Sequence, residues 1–294
     1  MTTAQPLDLP DLPAGLRLVV VDMDGTLLDG RGEVPDGLWP LLERLRAAGV
    51  AFAPASGRQY ATLERTFAPA LDGMVFIAEN GTMVVRDGVE LSSTTLEREA
   101  VTGVVAAVRR VVAEGRDAGT VVCGKRTAYV ERTDEAFLAE VRRYYAALEV
   151  VDDLDAVDDA FVKVAVHDAE AAEPVGEALA GFRASHQVVV SGAHWVDVMP
   201  AGVTKGDAVR RLQDELGIGP EHTVAFGDYL NDLEMLDAAE GSFAMANAHP
   251  EVLRRARHRA PAHTEAGVLT VVGALLDRAD AAGPAGPAGA PGAA

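Results

Sequence analysis

The 294-residue chain contains one cysteine, Cys123. A lone thiol cannot close an internal disulfide, so the expected compartment is a reducing one, the cytoplasm. Basic residues are scarce: 26 Lys and Arg stand against 45 Asp and Glu, a formal net charge of −19. That deficit argues against general affinity for nucleic acid or for an anionic membrane surface. An anionic ligand would therefore need local positive charge, from a lysine or a bound cation. No apolar run approaches the ~20 residues of a membrane span. The first residues, MTTAQPLDLPDLP, lack the basic region and apolar stretch of a signal peptide. The seven histidines show no HExxH-like spacing, so a zinc site is not expected. Nothing in the sequence sets an oligomeric state.

What is present is ordinary for a folded chain. Apolar residues make up 49% of it, and the length suits two domains or one domain carrying an insertion. Residues 1–15, rich in proline and aspartate, are expected to be flexible. Residues 281–294 hold only alanine, glycine and proline and are expected to be disordered.

The periodicity divides the rest. Residues 17–23 form an apolar run of strand length, 36–48 carry leucines at helical spacing, and 50–56 and 73–80 read as further strands. Strand, helix and strand in alternation predict a parallel sheet covered on both faces. The middle differs: helices over 97–113, 134–147 and 169–182 alternate with strands in adjacent pairs, including a hairpin, HQVVVSG and HWVDVMP. That pattern predicts an α+β unit with a largely antiparallel sheet. Alternation returns after Met199, with a helix over 204–216, a strand over 222–228 and a helix over 230–239. The predicted class is α/β: a Rossmann-like parallel-sheet domain, 16–83 with 198–280, interrupted by an α+β domain over 84–197.

Parallel sheets carry function at the carboxyl ends of their strands. VVVDMDGT ends a strand in Asp22 and Asp24; taken alone the pair reads as a solvated turn aspartate and a helix cap, but like charges at a strand tip call for a cation, and an oxygen-only pair suits Mg²⁺. GDYLND ends another strand in Asp228, read as a further metal ligand, with the Asn231 amide beside it. Asp232, one turn on, is read as a supporting acid; the plainer reading is a helix-start residue favoured by the dipole. Ser56 and Gly57 in ASGR can bind a phosphoryl oxygen at a helix start, or Ser56 can simply cap that helix. Lys205 follows the expected N-cap Thr204, where the dipole disfavours a cation; an anion between them resolves the conflict, a solvated surface lysine being the alternative. Arg58 is left open between a substrate contact and an acid partner.

Together, DMDGT, ASGR, GVTKG and GDYLND, in that order, resemble the four motifs of the haloacid dehalogenase-like (HAD) superfamily. ENGT at 79–82 and the insertion before Lys205 are similar to its Cof-like branch, in which ENGA is commoner. The resemblance covers residues 16–278 and implies a HAD core domain with an inserted α/β cap. It implies a Mg²⁺-dependent phosphatase of small phosphorylated metabolites, sugar phosphates foremost, working through an aspartyl-phosphate. Asp22 would be the nucleophile and Asp24 the acid and base. Mg²⁺ would be held by Asp22, the Asp24 carbonyl and Asp228, and the phosphoryl oxygens by Ser56, Gly57, Lys205 and Asn231. The competing readings are a phosphotransferase or phosphomutase on the same scaffold, and a non-catalytic phosphometabolite-binding protein.

Overall fold

The computed structural model describes residues 9, 10, 12 and 15–282. The valine run becomes β1 (Leu18–Asp22), every residue of it buried, as in a strand covered on both faces. It stops at Asp22, one residue before the expected end, because Met23–Leu27 make a single wide turn, closed by the Leu28 N–H on the Met23 carbonyl at 2.9 Å. Gly25, at φ +82°, makes that turn possible, and a Cβ there would collide with the Asp228 carboxylate. The chain continues through α1 (Leu38–Ala47), β2 (Ala51–Ala55), α2 (Tyr60–Thr66), β3 (Val75–Ala78), β4 (Met83–Arg86) and β5 (Val89–Ser93). Next come α3 (Arg98–Ala113), β6 (Ala118–Gly124), β7 (Ala128–Val130), α4 (Glu135–Val141), β8 (Leu148–Val150), β9 (Phe161–Asp168), α5 (Ala172–Ala178), β10 (His186–Gly192) and β11 (Trp195–Pro200). The last third holds α6 (Lys205–Leu216), β12 (Thr223–Gly227), α7 (Leu233–Asp237), β13 (Gly241–Met245), α8 (Pro250–Arg255), β14 (His258–Ala260) and α9 (Gly267–Ala282).

The strands form two sheets, in the orders β14-β13-β12-β1-β2-β3-β4-β5 and β10-β11-β9-β6-β7-β8. The first is parallel from β14 to β3. The second is antiparallel except where β7 meets β8. Each has its own apolar interior. One cluster draws on residues 18–85 and 208–276. Two others draw only on residues 96–198, with Val122, Val164 and Val166 in one and Val121, Cys123 and Ala165 in the other, as the two-residue alternation of a strand requires. No helix among the described residues is long and apolar enough to cross a membrane.

Several expectations are corrected. The chain leaves the first sheet after Ser93 rather than at residue 83, because β4 and β5 extend that sheet as an antiparallel hairpin. The ENG turn after β3 reverses the chain, with Glu79, Asn80 and Gly81 all at positive φ. The helix expected over 134–147 ends at Val141, since Gln59 and Ala128 claim the backbone of Ala147. The helix expected from 169 starts at Ala172, because Asp168 accepts the N–H groups of Glu170 and Ala171. Within the N-terminal segment expected to be loose, Leu9 and Leu12 pack on the first core, and Pro10 accepts a hydrogen bond from Arg278. Residues 1–8, 11, 13 and 14, and 283–294 of the expected tail, lie outside the described residues. Residues 281 and 282 belong to α9.

Candidate active site

β1 lies between β12 and β2, so chain connections leave it in opposite directions. This is the topological switch point, the place where open α/β sheets take their ligands. Asp22 ends β1, Ser56 follows β2 and Asp228 follows β12. Three of the segments singled out in the sequence thus meet at one edge of one sheet.

Lys205 ties the acids together. It is the first residue of α6, whose capping box of Thr204 and Asp207 fixes where the helix starts. Its ammonium, 1% exposed, donates to Asp22 Oδ1 at 2.5 Å and to Asp232 Oδ1 at 2.7 Å. Burial alone would lower its pKa, but the two carboxylates outweigh that and raise it. Asp232 is fully buried, and its other oxygen accepts the N–H groups of Asp228 and Tyr229 at 3.0 and 3.2 Å. It therefore orients both Lys205 and the loop that carries Asp228. Thr26 donates to Asp228 Oδ1 at 3.0 Å.

Asp22, Asp228 and Asp232 present oxygens within 4.8 Å of one another, with one ammonium among them. Burial, followed by the Asp232 charge, pushes Asp22 well above the usual carboxylate range, against the pull of Lys205. The same two causes push Asp228 up to about 6. The cluster carries more negative charge than its protein partners neutralise, and its donors are all oxygen, so these residues fit a divalent cation. Both oxygens of Asp232 are engaged by Lys205 and by backbone N–H groups, which leaves Asp22 and Asp228 as the carboxylates able to ligate.

The second group forms around the loop after β2. The Ser56 hydroxyl accepts the Arg58 N–H at 3.1 Å. Arg58 answers the question the sequence left open: its guanidinium donates from Nε to Asp24 Oδ2 at 3.0 Å and from Nη2 to Asp24 Oδ1 at 2.6 Å. Asp24 is thus paired with Arg58 and makes no hydrogen bond to Lys205, its side chain 59% exposed against 18% for Arg58. Asn231 reaches the same region through Asn80, whose Oδ1 it approaches at 3.4 Å, and Asn80 in turn packs on Gly57. The structure therefore gathers Asp22, Lys205, Asp228 and Asp232 into one cluster, and sets Ser56, Gly57, Asn231 and Asp24 around a neighbouring loop.

Sequence reasoning passed over a second buried lysine. Lys163, on β9, is 2% exposed and lies 2.6 Å from Glu79 Oε2 and 3.9 Å from Asp197 Oδ1. It donates to the Gly57 carbonyl at 3.0 Å. Glu79 and Asp197 are also buried. The signal was available: Lys163 in FVKVAV and Asp197 in WVDVM are lone charges inside apolar strands, and such charges are almost always paired. Cys123 is buried nearby, and burial pushes its thiol up, as suits a packing residue and not a nucleophile.

The sequence profile of the haloacid dehalogenase-like hydrolases matches residues 19–272. The chain is 34% identical over 267 residues to 5-amino-6-(5-phospho-D-ribitylamino)uracil phosphatase YbjI of Escherichia coli (strain K12), a match spanning 89% of this chain and 96% of that protein. It is 26% identical over 250 residues to HMP-PP phosphatase of Citrobacter koseri, spanning 82% and 88% of the two chains. Among solved structures, SMU.1108c from Streptococcus mutans UA159 superposes with a TM-score of 0.80 at 26% identity, over 90% of this chain and 100% of that one. The HAD subclass IIB sugar phosphatase BT4131 shares the fold, with a TM-score of 0.74 at 20% identity over 88% and 98% of the two chains.

Proposed function

The chain belongs to the haloacid dehalogenase-like hydrolases, in their Cof-like branch, and from that premise we propose that it is a cytoplasmic phosphatase of small phosphorylated metabolites, sugar phosphates foremost. Asp22 is the nucleophile in this reading. The observation that carries it is the Lys205 cluster: a strand-tip carboxylate held at 2.5 Å by a buried ammonium, beside two further acids at the switch point of the sheet. The second sheet with its helices, about residues 94–200, is the cap.

One Asp22 oxygen attacks phosphorus, and the bond from phosphorus to the leaving oxygen breaks as Asp24 gives that oxygen its proton. Asp24, now a carboxylate, takes a proton from the water that attacks phosphorus. The bond from phosphorus to Asp22 then breaks, phosphate leaves, and Asp24 is protonated again. Lys205 uses two donors on Asp22 and Asp232, which leaves its third for a phosphoryl oxygen. The Ser56 hydroxyl, the Gly57 N–H and the Asn231 amide take the others, where charge is spread in the transition state. Both oxygens of Asp24 accept from Arg58, so proton donation requires Asp24 to swing off that guanidinium first. A divalent cation, Mg²⁺ in this reading, would be held by the Asp22 and Asp228 carboxylates and the Asp24 carbonyl, and when bound it offsets the repulsion between carboxylate and phosphate.

The test is phosphate release with Mg²⁺ over a panel of sugar phosphates, nucleotides and cofactor phosphates, including 5-amino-6-(5-phospho-D-ribitylamino)uracil. Stoichiometric free phosphate supports hydrolysis. Transfer to a second hydroxyl without free phosphate would replace it with a phosphotransferase, and silence across the panel would remove the reading.

A further inference from the structure

The loop of Ser56, Gly57 and Arg58 has each of its three carbonyls tied. Ser56 O accepts the Asn80 N–H at 2.9 Å and Arg58 O accepts the Glu79 N–H at 3.1 Å. Gly57 O accepts Lys163 Nζ at 3.0 Å. Two ties come from the ENG turn of the first sheet; the third comes from β9 of the second. The carbonyls are thereby drawn away from the Ser56 hydroxyl and the loop amides. Glu79 and Asn80 hold φ of +51° and +57°, a region that costs a non-glycine residue energy, and their N–H bonds to the loop maintain it.

Lys163 makes this contact from a buried position, where a charge is costly to hold. Its ammonium is buried with Glu79 and Asp197, neither Glu79 oxygen meets a hydrogen-bond donor in good alignment, and the Tyr145 ring lies 5.5 Å away. Such a group contributes little net stability compared with an apolar replacement. The same side of the loop is tied to the second sheet again: Gln59 exchanges two hydrogen bonds with the Ala147 backbone, each 2.9 Å, and the Thr62 hydroxyl donates to the Tyr144 carbonyl at 2.7 Å.

Resting on the reading of Ser56 and Gly57 as phosphate ligands, we propose that Lys163 is a positioning residue: from the second sheet it fixes the Gly57 carbonyl, and so sets the phosphate-facing side of the loop. Phosphate affinity then depends on the seating of one sheet against the other. Lys163 touches no reacting atom in this account.

Orthophosphate inhibition and steady-state kinetics on a phosphomonoester test it, with Lys163→Met and the double variant Lys163→Met/Glu79→Gln. The double variant removes the 2.6 Å pair together and leaves Asp197 its Asn80 contact at 3.4 Å, so it strands one buried charge where the single variant strands two. Both should raise the orthophosphate inhibition constant and KM by about tenfold or more, the scale on which misplaced binding groups act, with a smaller change in kcat. A folded double variant with wild-type phosphate affinity overturns the proposal while leaving the phosphatase reading in place. A wild-type protein that neither hydrolyses a phosphomonoester nor is inhibited by orthophosphate overturns that reading and this proposal with it.

Discussion

Lys205 and Lys163 are buried almost equally, and each lies between two carboxylates from separate chain segments. The likeness ends there. Lys205, Asp22 and Asp232 all belong to the first sheet's carboxyl edge. Lys163 and Asp197 come from the second sheet, and Glu79 from the first. Partnered charges inside a protein contribute little net stability, and replacing them by apolar groups is often neutral. The difference therefore lies in what each ammonium fixes: carboxylates at one site, and a backbone loop across two sheets at the other.

Matched substitutions should separate the two groups most widely. Asp22→Asn keeps an acceptor for Lys205 but removes the nucleophile, and turnover should fall by on the order of 10⁴-fold or more in a folded protein. Glu79→Gln makes the same change beside Lys163 and should keep turnover within about tenfold, because the Gly57 tie is unaffected. Equal losses in steady-state rate would erase the distinction drawn between the groups.

The sequence revealed one group and hid the other for a physical reason. Asp22, Lys205 and Asp228 stand at strand tips and a helix start, where a charge conflicts with the local pattern and calls for a ligand. Lys163 and Asp197 sit in mid-strand, where the apolar pattern marks burial on both faces but does not say which segment lies opposite. That partner, Glu79, depends on how β9 docks on the ENG turn, a contact between residues 84 positions apart. The parallel sheet was legible in the same way, from runs of apolar residues. The reversal from β3 into β4 was not, because its turn needs left-handed Glu79 and Asn80, and glutamate gives no sign of that conformation.

The next effect should appear in stability. Lys205→Met leaves Asp22 and Asp232 buried without their cation, and breaking a buried pair typically costs about 3 to 5 kcal/mol. Urea unfolding in EDTA at neutral pH should show a loss of that size, mostly recovered in Lys205→Met/Asp232→Asn. A single variant as stable as wild type would mean that the two acids do not depend on Lys205.

Asp24→Asn sharpens the account of the exposed acid paired with Arg58. General acid–base help is worth about 10² to 10⁴ in rate. With an alkyl phosphate the first step should lose that help in full. With an activated aryl phosphate the leaving group departs without a proton, so a burst of phenolate should precede slow turnover, and phosphoprotein should accumulate. Equal losses on both substrates with no burst would assign Asp24 a structural role.

The smallest effect concerns Asp228, and its sign follows from the direction of its shift. Burial, and Asp232 after it, raise the carboxyl from an ordinary 3.8 to about 6. In cation-free protein, the native state therefore holds a proton across roughly pH 4 to 6 that the unfolded chain has already released. Stability changes with pH as the protons bound by the unfolded state minus those bound by the native state. Asp228 thus makes stability fall as pH rises through that window, and its penalty is complete above about pH 6. Asp228→Asn removes this contribution. In EDTA the Tm of the variant should equal that of wild type near about pH 4 and exceed it by up to about 6 °C at neutral pH, the upper limit for a shift of about two units, roughly 3 kcal/mol, at about 2 °C per kcal/mol in a chain of this size. Saturating Mg²⁺ should reverse the order, because a ligand stabilises the protein that binds it. Asp197→Asn, beside the other lysine, should show no comparable response to Mg²⁺. A Tm difference that stays flat with pH in EDTA would mean that Lys205 already neutralises the cluster, and the case for a cation beside it would lose its electrostatic basis.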